Sequence, residues 1–119
     1  MSVREKLIES LEGLGYQIAL QGSFDVNEDI PDKVITYRIA DAPVIRYYNN
    51  KPAAVGYYLQ VNAYCRKISE LDALANEVKD KLLSAGFTTD ADPIDAGYDR
   101  DTGHYGTLMD YYYLDRKEV

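Results

Sequence analysis

The chain holds one cysteine, one histidine and no tryptophan in 119 residues. A lone Cys65 makes no internal disulfide and no multi-cysteine metal site, which points to a reducing cytosol. Basic residues are also scarce, 13 against 20 acids, for a net charge of −7. An excess of that sign repels phosphate backbones and disfavours ordinary nucleic-acid binding. Long apolar runs are missing. The longest weakly charged run, Val55 to Cys65, is interrupted by Gln60 and Asn62, and it falls short of the roughly 18 apolar residues that span a bilayer. Met1 to Leu11 carries charge every few residues and has no apolar signal core, so neither a standard secretion signal nor a membrane partner is expected. Glycine-rich phosphate loops are absent too: Gly13 and Gly15 follow a helical pattern, whereas a dinucleotide fingerprint precedes one.

What remains is a composition close to that of an ordinary folded domain, 46% hydrophobic and 28% charged. The length suits a single domain, residues 1–119, able to bury roughly two-thirds of its unfolded surface without staples. Two features stand out. Tyrosine occurs 12 times, and a ring with a polar tip suits half-exposed surfaces and interfaces, although tyrosine also simply favours strands. The acids cluster: Asp25, Glu28, Asp29 and Asp32 in one loop-like stretch, and Asp90, Asp92, Asp95, Asp99 and Asp101 in another.

Hydrophobic spacing predicts a helix over 2–15, with Ser2 and Glu5 at capping-box spacing and Val3, Leu7, Leu11 and Leu14 on one face. Alternation then predicts strands at 16–20, 34–40, 44–48 and 55–65, the last two forming a long antiparallel hairpin. In the last strand Leu59, Val61, Ala63 and Cys65 point to the core, and Tyr58, Gln60, Asn62 and Tyr64 point away. A second helix is predicted over 69–85, capped by Ser69 and Asp72, stopped by Gly86, with Glu77 and Lys81 placed to pair. Residues 87–89 are a candidate short strand, 90–103 an exposed excursion, and 107–114 a final strand with bulky residues on both sides. The fold class that follows is α+β: an antiparallel or mixed sheet of about five to six strands, with two amphipathic helices on one face.

Chemistry is hard to find in this pattern. Cys65 falls on the core face, where a free cysteine acts as a small hydrophobe, and His104 reads as a surface loop residue. A calcium loop begun at Asp90 has Asp95 where glycine is needed and Asp101 where glutamate is needed. The paired carboxylates sit in loop-like segments that leave an acid well solvated. The expectation is a non-enzyme with no cofactor, metal or catalytic residue.

The stretch Val34-Ile-Thr-Tyr-Arg-Ile-Ala-Asp, then Asn49-Asn-Lys-Pro, then Tyr57-Tyr-Leu-Gln-Val-Asn-Ala-Tyr resembles the small tail-completion proteins of long, non-contractile-tailed phages and prophages. Gly86-Phe87 and Tyr98-Asp-Arg-Asp-Thr-Gly-His-Tyr are similar to that family's closing segment. The resemblance implies a tail terminator or head–tail joining protein: a virion structural subunit that forms a hexameric ring on the tail tube. Its partners would be the tail-tube and head–tail connector proteins. It would be found in the host cytoplasm during assembly and then at the head-proximal end of the tail. The tyrosine triplet Tyr111 to Tyr113 is heavier than that family's pattern, and the first third matches only in outline. The expected interface comprises Tyr58, Gln60, Asn62 and Tyr64 on the open sheet face, with Asp99, Arg100 and Asp101 in the second acidic stretch. Two other readings suit the same composition. One is a small acidic inhibitor of the immunity type that attracts a basic toxin; the other is a ligand-binding regulatory domain with a ferredoxin-like sheet.

Overall fold

A computed structural model describes residues 2–23, 30–40, 44–48 and 50–116. The first acidic stretch apart from Asp32, and residues 41–43 and 49 between predicted strands, lie outside the described residues.

Helix α1 spans Val3–Glu12. Its start is the predicted capping box. The Ser2 hydroxyl accepts from the Glu5 amide at 3.1 Å and donates to the Glu5 carboxylate at 3.2 Å. Leu7 and Leu11, one turn apart, are fully buried. Gly15 takes a positive φ of 79° and swings the chain into β1, Gln17–Leu20.

Strands β2 (Lys33–Ile39), β3 (Val44–Tyr48) and β4 (Lys51–Cys65) follow. Strands β3 and β4 form the expected hairpin, but β4 begins four residues earlier than the alternation indicated, because pairing with β3 extends it. Helix α2 spans Ile68–Ser84. Its N-cap is Lys67, without a side-chain cap bond, so Ser69 and Asp72 lie inside the helix rather than capping it. Its end is a Schellman motif: Phe87 N–H donates to the Leu82 carbonyl and Gly86 N–H to the Leu83 carbonyl, with Gly86 at φ 95°. Glu77 accepts a hydrogen bond from the Tyr16 hydroxyl at 3.0 Å, tying α2 to the entry of β1.

The segment read as an exposed excursion contains a strand, β5 (Ile94–Asp99), which pairs antiparallel with β6 (His104–Arg116). Alternation failed to reveal β5 because all six of its residues are exposed, so no apolar face marks it. Thr88 forms only an isolated bridge with Tyr112.

The sheet is mixed and six-stranded, in the order β1-β2-β4-β6-β5, with β3 also on β4. Strand β1 runs parallel to β2; the other pairs are antiparallel. Strand β4 is the spine. Its first half pairs with β3 and its second half with β2 on one side, while β6 follows it from Ala54 to Cys65 on the other.

Both helices cover the face that carries Leu59, Val61, Ala63 and Cys65, as the alternation predicted. The inward side of β6 is the one with Met109 and Tyr111. Each fully buried leucine there, Leu7, Leu11 or Leu82, would cost about 2–5 kcal/mol on truncation to alanine. The molecule measures 52 × 26 × 24 Å with a radius of gyration of 15.6 Å, against about 13.5 Å for a compact chain of this length. The long dimension matches the 15-residue strand β4 at about 3.3 Å per residue, and at its β3-paired end Val44, Ile45 and Tyr47 are exposed.

Candidate functional site

The sheet face turned away from the helices splits into two ends. Cross-strand register lays out its rows. Val34, Tyr64, Gly106 and Gly97 form one row. Thr36, Asn62, Leu108 and Ile94 form the next. Arg38, Gln60 and Asp110 form a third. Tyr58 opposite Tyr112, and Arg46, Ala54 and Arg116, lie beyond it.

The first two rows are closed over β2 and β4 and open at their β5 end, where Ile94 and Gly97 are exposed. Val34, Thr36 and Asn62 are buried. Asn62, expected on an open interface, is fully inaccessible; its amide donates to Thr36 Oγ1 at 3.2 Å, and its Oδ1 has no partner among the described residues. Tyr64 is half-buried, with its ring lying across Gly106, where a Cβ would come within 2.6 Å of it. Burial pushes the Tyr64 phenol above its usual value; the Asp99 carboxylate pushes the same way and a hydrogen bond with Thr36 opposes it.

His104, read as a surface loop residue, is buried at the start of β6 and donates from Nε2 to the Pro31 carbonyl at 2.7 Å. Arg66 helps hold the same segment, donating to the Ile30 carbonyl at 2.6 Å and from its backbone N–H to the Asp32 carboxylate at 3.1 Å. Residues 30–32 are thus lashed to this end of the sheet. The isolated sequence gave no signal for that, because the contact joins residues 73 positions apart.

The other end is an open basin of about 570 Å³. Arg38, Gln60 and Asp110 line it together with Tyr58, Tyr112 and Arg46, and residues 88–91 form a rim. The rim is pinned to β6 by Thr88 N–H to the Tyr112 carbonyl at 2.8 Å and Thr89 Oγ1 to the Asp110 carbonyl at 2.6 Å. The Tyr58 and Tyr112 rings meet at 5.0 Å. Tyr112 leans over Gly56, which has no side chain to obstruct it; a Cβ there would lie 2.0 Å from the tyrosine hydroxyl. Arg38 and Arg46 are exposed, and among the described residues neither forms an ion pair. Two arginines drawn into one concavity in an acidic protein were missed by sequence reasoning. They lie on separate strands, and only the β2–β4–β3 pairing brings them to one face.

Of the expected interface residues, Tyr58 and Gln60 line the basin. Asp99, Arg100 and Asp101 sit at the β5–β6 turn, toward the opposite end of β4, and are exposed. Asp99 shapes that turn: its carboxylate accepts from Asp101 N–H at 2.9 Å and its carbonyl from Gly103 N–H at 2.8 Å.

Cys65 and His104 lie on opposite faces of the sheet, since Cys65 is directly opposite Tyr105, so they form no nucleophile–base dyad. Asp32, Cys65 and Glu70 bring three ligand-type atoms within 4.8 Å of one another. Each acid there already has a partner, Lys33 at 3.9 Å from Glu70 and the Arg66 amide on Asp32. No described helix is long and apolar enough to cross a membrane. No protein-family model and no curated protein matches the chain.

Proposed function

We propose that the chain is a structural assembly subunit of the phage tail-completion class, which caps the end of a tail tube as a ring and offers a surface to the head connector. The observation that carries this reading is the projecting β3–β4–β6 end. It exposes Val44, Ile45, Tyr47 and Tyr58 beyond the main core, and apolar residues concentrated on an elongated end mark a surface built to meet another protein. The open basin beside them adds polar anchors. The test is coexpression with the products of the flanking genes, viewed by electron microscopy. Rings on the ends of tubes, lost when Ile45→Asp and Tyr47→Asp are combined, are the expected result. Tubes that grow with unchanged length and bare ends would overturn the proposal.

A second reading has its own observation. The β5 edge presents Asp95, Asp99 and Asp101, all exposed, which suits an immunity-type inhibitor of a basic enzyme. A tight one-to-one complex with such an enzyme, abolishing its activity, would favour that reading.

A further inference from the structure

We infer that two cross-strand tyrosine pairs, Tyr58–Tyr112 and Tyr98–Tyr105, are oxidative modification sites that take up phenoxyl radicals as dityrosine bonds within one chain. The inference goes beyond the assembly reading above and does not depend on it. Tyr58 stands directly opposite Tyr112 on β4 and β6, with ring centroids 5.0 Å apart and a tilt of 54°. Tyr98 stands directly opposite Tyr105 on β5 and β6, at 4.8 Å and 50°. Both spacings are those of aromatic rings in contact. In each pair the first ring is exposed, so an oxidant reaches it and the ring has room to turn. Register alone does not make such a pair. Tyr57 also lies opposite Tyr113, but the Tyr113 ring packs at 4.8 Å on Phe87, which has no phenol to oxidise. Among the described residues, no other two tyrosine rings meet.

The composition leaves few competing sinks for an oxidant. Tryptophan is absent, Cys65 is fully inaccessible and Met109 is buried, and a thiol's susceptibility to oxidation follows its exposure. The co-reactant is a one-electron oxidant of the peroxidase type, with hydrogen peroxide as the final acceptor. Each phenol of a pair loses its O–H proton and one electron. The two phenoxyl radicals join through a new carbon–carbon bond between ring positions ortho to oxygen. The two ortho hydrogens then move to the oxygens and restore both phenols. Two electrons and two protons leave in all, and one hydrogen peroxide takes them up to become two waters. A radical on Tyr47, exposed and without a ring partner among the described residues, has to wait for a second chain. The paired rings need no such encounter, because holding two reactants together makes their reaction effectively unimolecular. Once both bonds form, β6 is tied covalently to β4 at one end and to β5 at the other.

The experiment treats the pure native chain with hydrogen peroxide and a haem peroxidase over a dilution series. Intact mass, denaturing electrophoresis and peptide mapping read the products. The native chain should stay monomeric on the gel and lose two hydrogens per link. Mapping should place the links at Tyr58–Tyr112 and Tyr98–Tyr105, in a yield that dilution does not change. A variant combining Tyr58→Phe with Tyr98→Phe keeps both rings at exposed positions, and circular dichroism checks its fold. It should lose intrachain coupling at least about tenfold. The same treatment of the native chain in urea, where the pairs are dispersed, should scatter links among the 12 tyrosines. No coupling in the native chain, coupling mainly between chains, links at other tyrosines, or the same two links in urea would each overturn the inference. Undiminished intrachain coupling in the double variant would overturn it as well.

Discussion

Gln60 and Asn62 stand two residues apart on the same strand and point to the same side of the sheet, yet Gln60 faces an open basin and Asn62 is fully inaccessible. The same contrast repeats on the neighbouring strands. Thr36 is buried and Arg38 exposed on β2. Gly106 is crossed by the Tyr64 ring, whereas Tyr112 borders the basin. One face of one sheet therefore serves two purposes. At its first end the β2 and β4 positions are part of the packed body, strapped by Ile30–Asp32 through Arg66 and His104, and only the β5 margin is exposed. Its second end is surface. The boundary falls between two adjacent rows, about 7 Å apart, and pattern along a strand cannot place such a boundary, because alternation gives the side of the sheet and not what lies over it.

Charge is the sharpest way to break this comparison. Asn62→Asp changes almost no volume but puts a carboxylate where the existing Oδ1 already lacks a partner among the described residues. It should destabilise the fold by roughly 3–5 kcal/mol. Gln60→Glu, the matching change one row away, should stay within about 0.5 kcal/mol. Urea unfolding of both variants reads the difference; equal effects would mean that the two ends are not distinct.

Added volume is the next test and should have a smaller effect. In Gly106→Ala the new methyl meets the Tyr64 ring at 2.6 Å and the Ala96 methyl at 3.2 Å, so it is blocked from two sides. An overpacking loss of about 1–3 kcal/mol is expected. Gly56→Ala makes an even closer approach, 2.0 Å to the Tyr112 hydroxyl. Tyr112, however, borders the basin and has space to turn into it. The loss there should be under about 1 kcal/mol, with a changed basin as its main consequence. Thermal unfolding of the two alanine variants decides between them. A larger loss at Gly56 would show that the basin is a rigid part of the core.

The sequence made the helix-covered face readable because its signals are local. Leu7 and Leu11 recur at helical spacing, and Leu59 to Cys65 alternate; both sets are buried as expected. The capping box at Ser2 and the Gly86 stop rest on residues within a turn of each other, and both are present. What was not legible depends on distant partners. Strand β5 has no apolar side and exists through its pairing with β6. His104 is buried through its bond to Pro31. The candidate basin was half legible. Tyr58 and Gln60 were expected on the outer face and are there, but Arg38 and Arg46 join them only through strand pairing, and Asn62 and Tyr64 fall on the closed end. An interface expectation based on alternation alone therefore extended one row too far in one direction and stopped short in the other.

The finest test of the comparison is a titration. Burial holds the Tyr64 phenol above its ordinary value of 10.0, with a smaller push from the Asp99 carboxylate and an opposing hydrogen bond with Thr36. A raised native value means that the folded chain holds this proton more tightly than the unfolded chain does. The resulting stability is fully present below about pH 10 and is lost as pH climbs through the native value. Tyr64→Phe removes the ionisation while keeping the ring over Gly106. The stability gap between the parent and this variant should thus be constant from about pH 7 to pH 9, then shift in favour of phenylalanine as the pH rises further. Tyr111 is held higher still, up to about 12, chiefly by its burial, but it is common to both proteins and cancels in the difference. Paired urea melts across this range measure the gap. A gap that stays flat above pH 10 would mean that water reaches Tyr64 as freely as it reaches the basin, and the distinction between the two ends of the face would fail at the residue where it is drawn most finely.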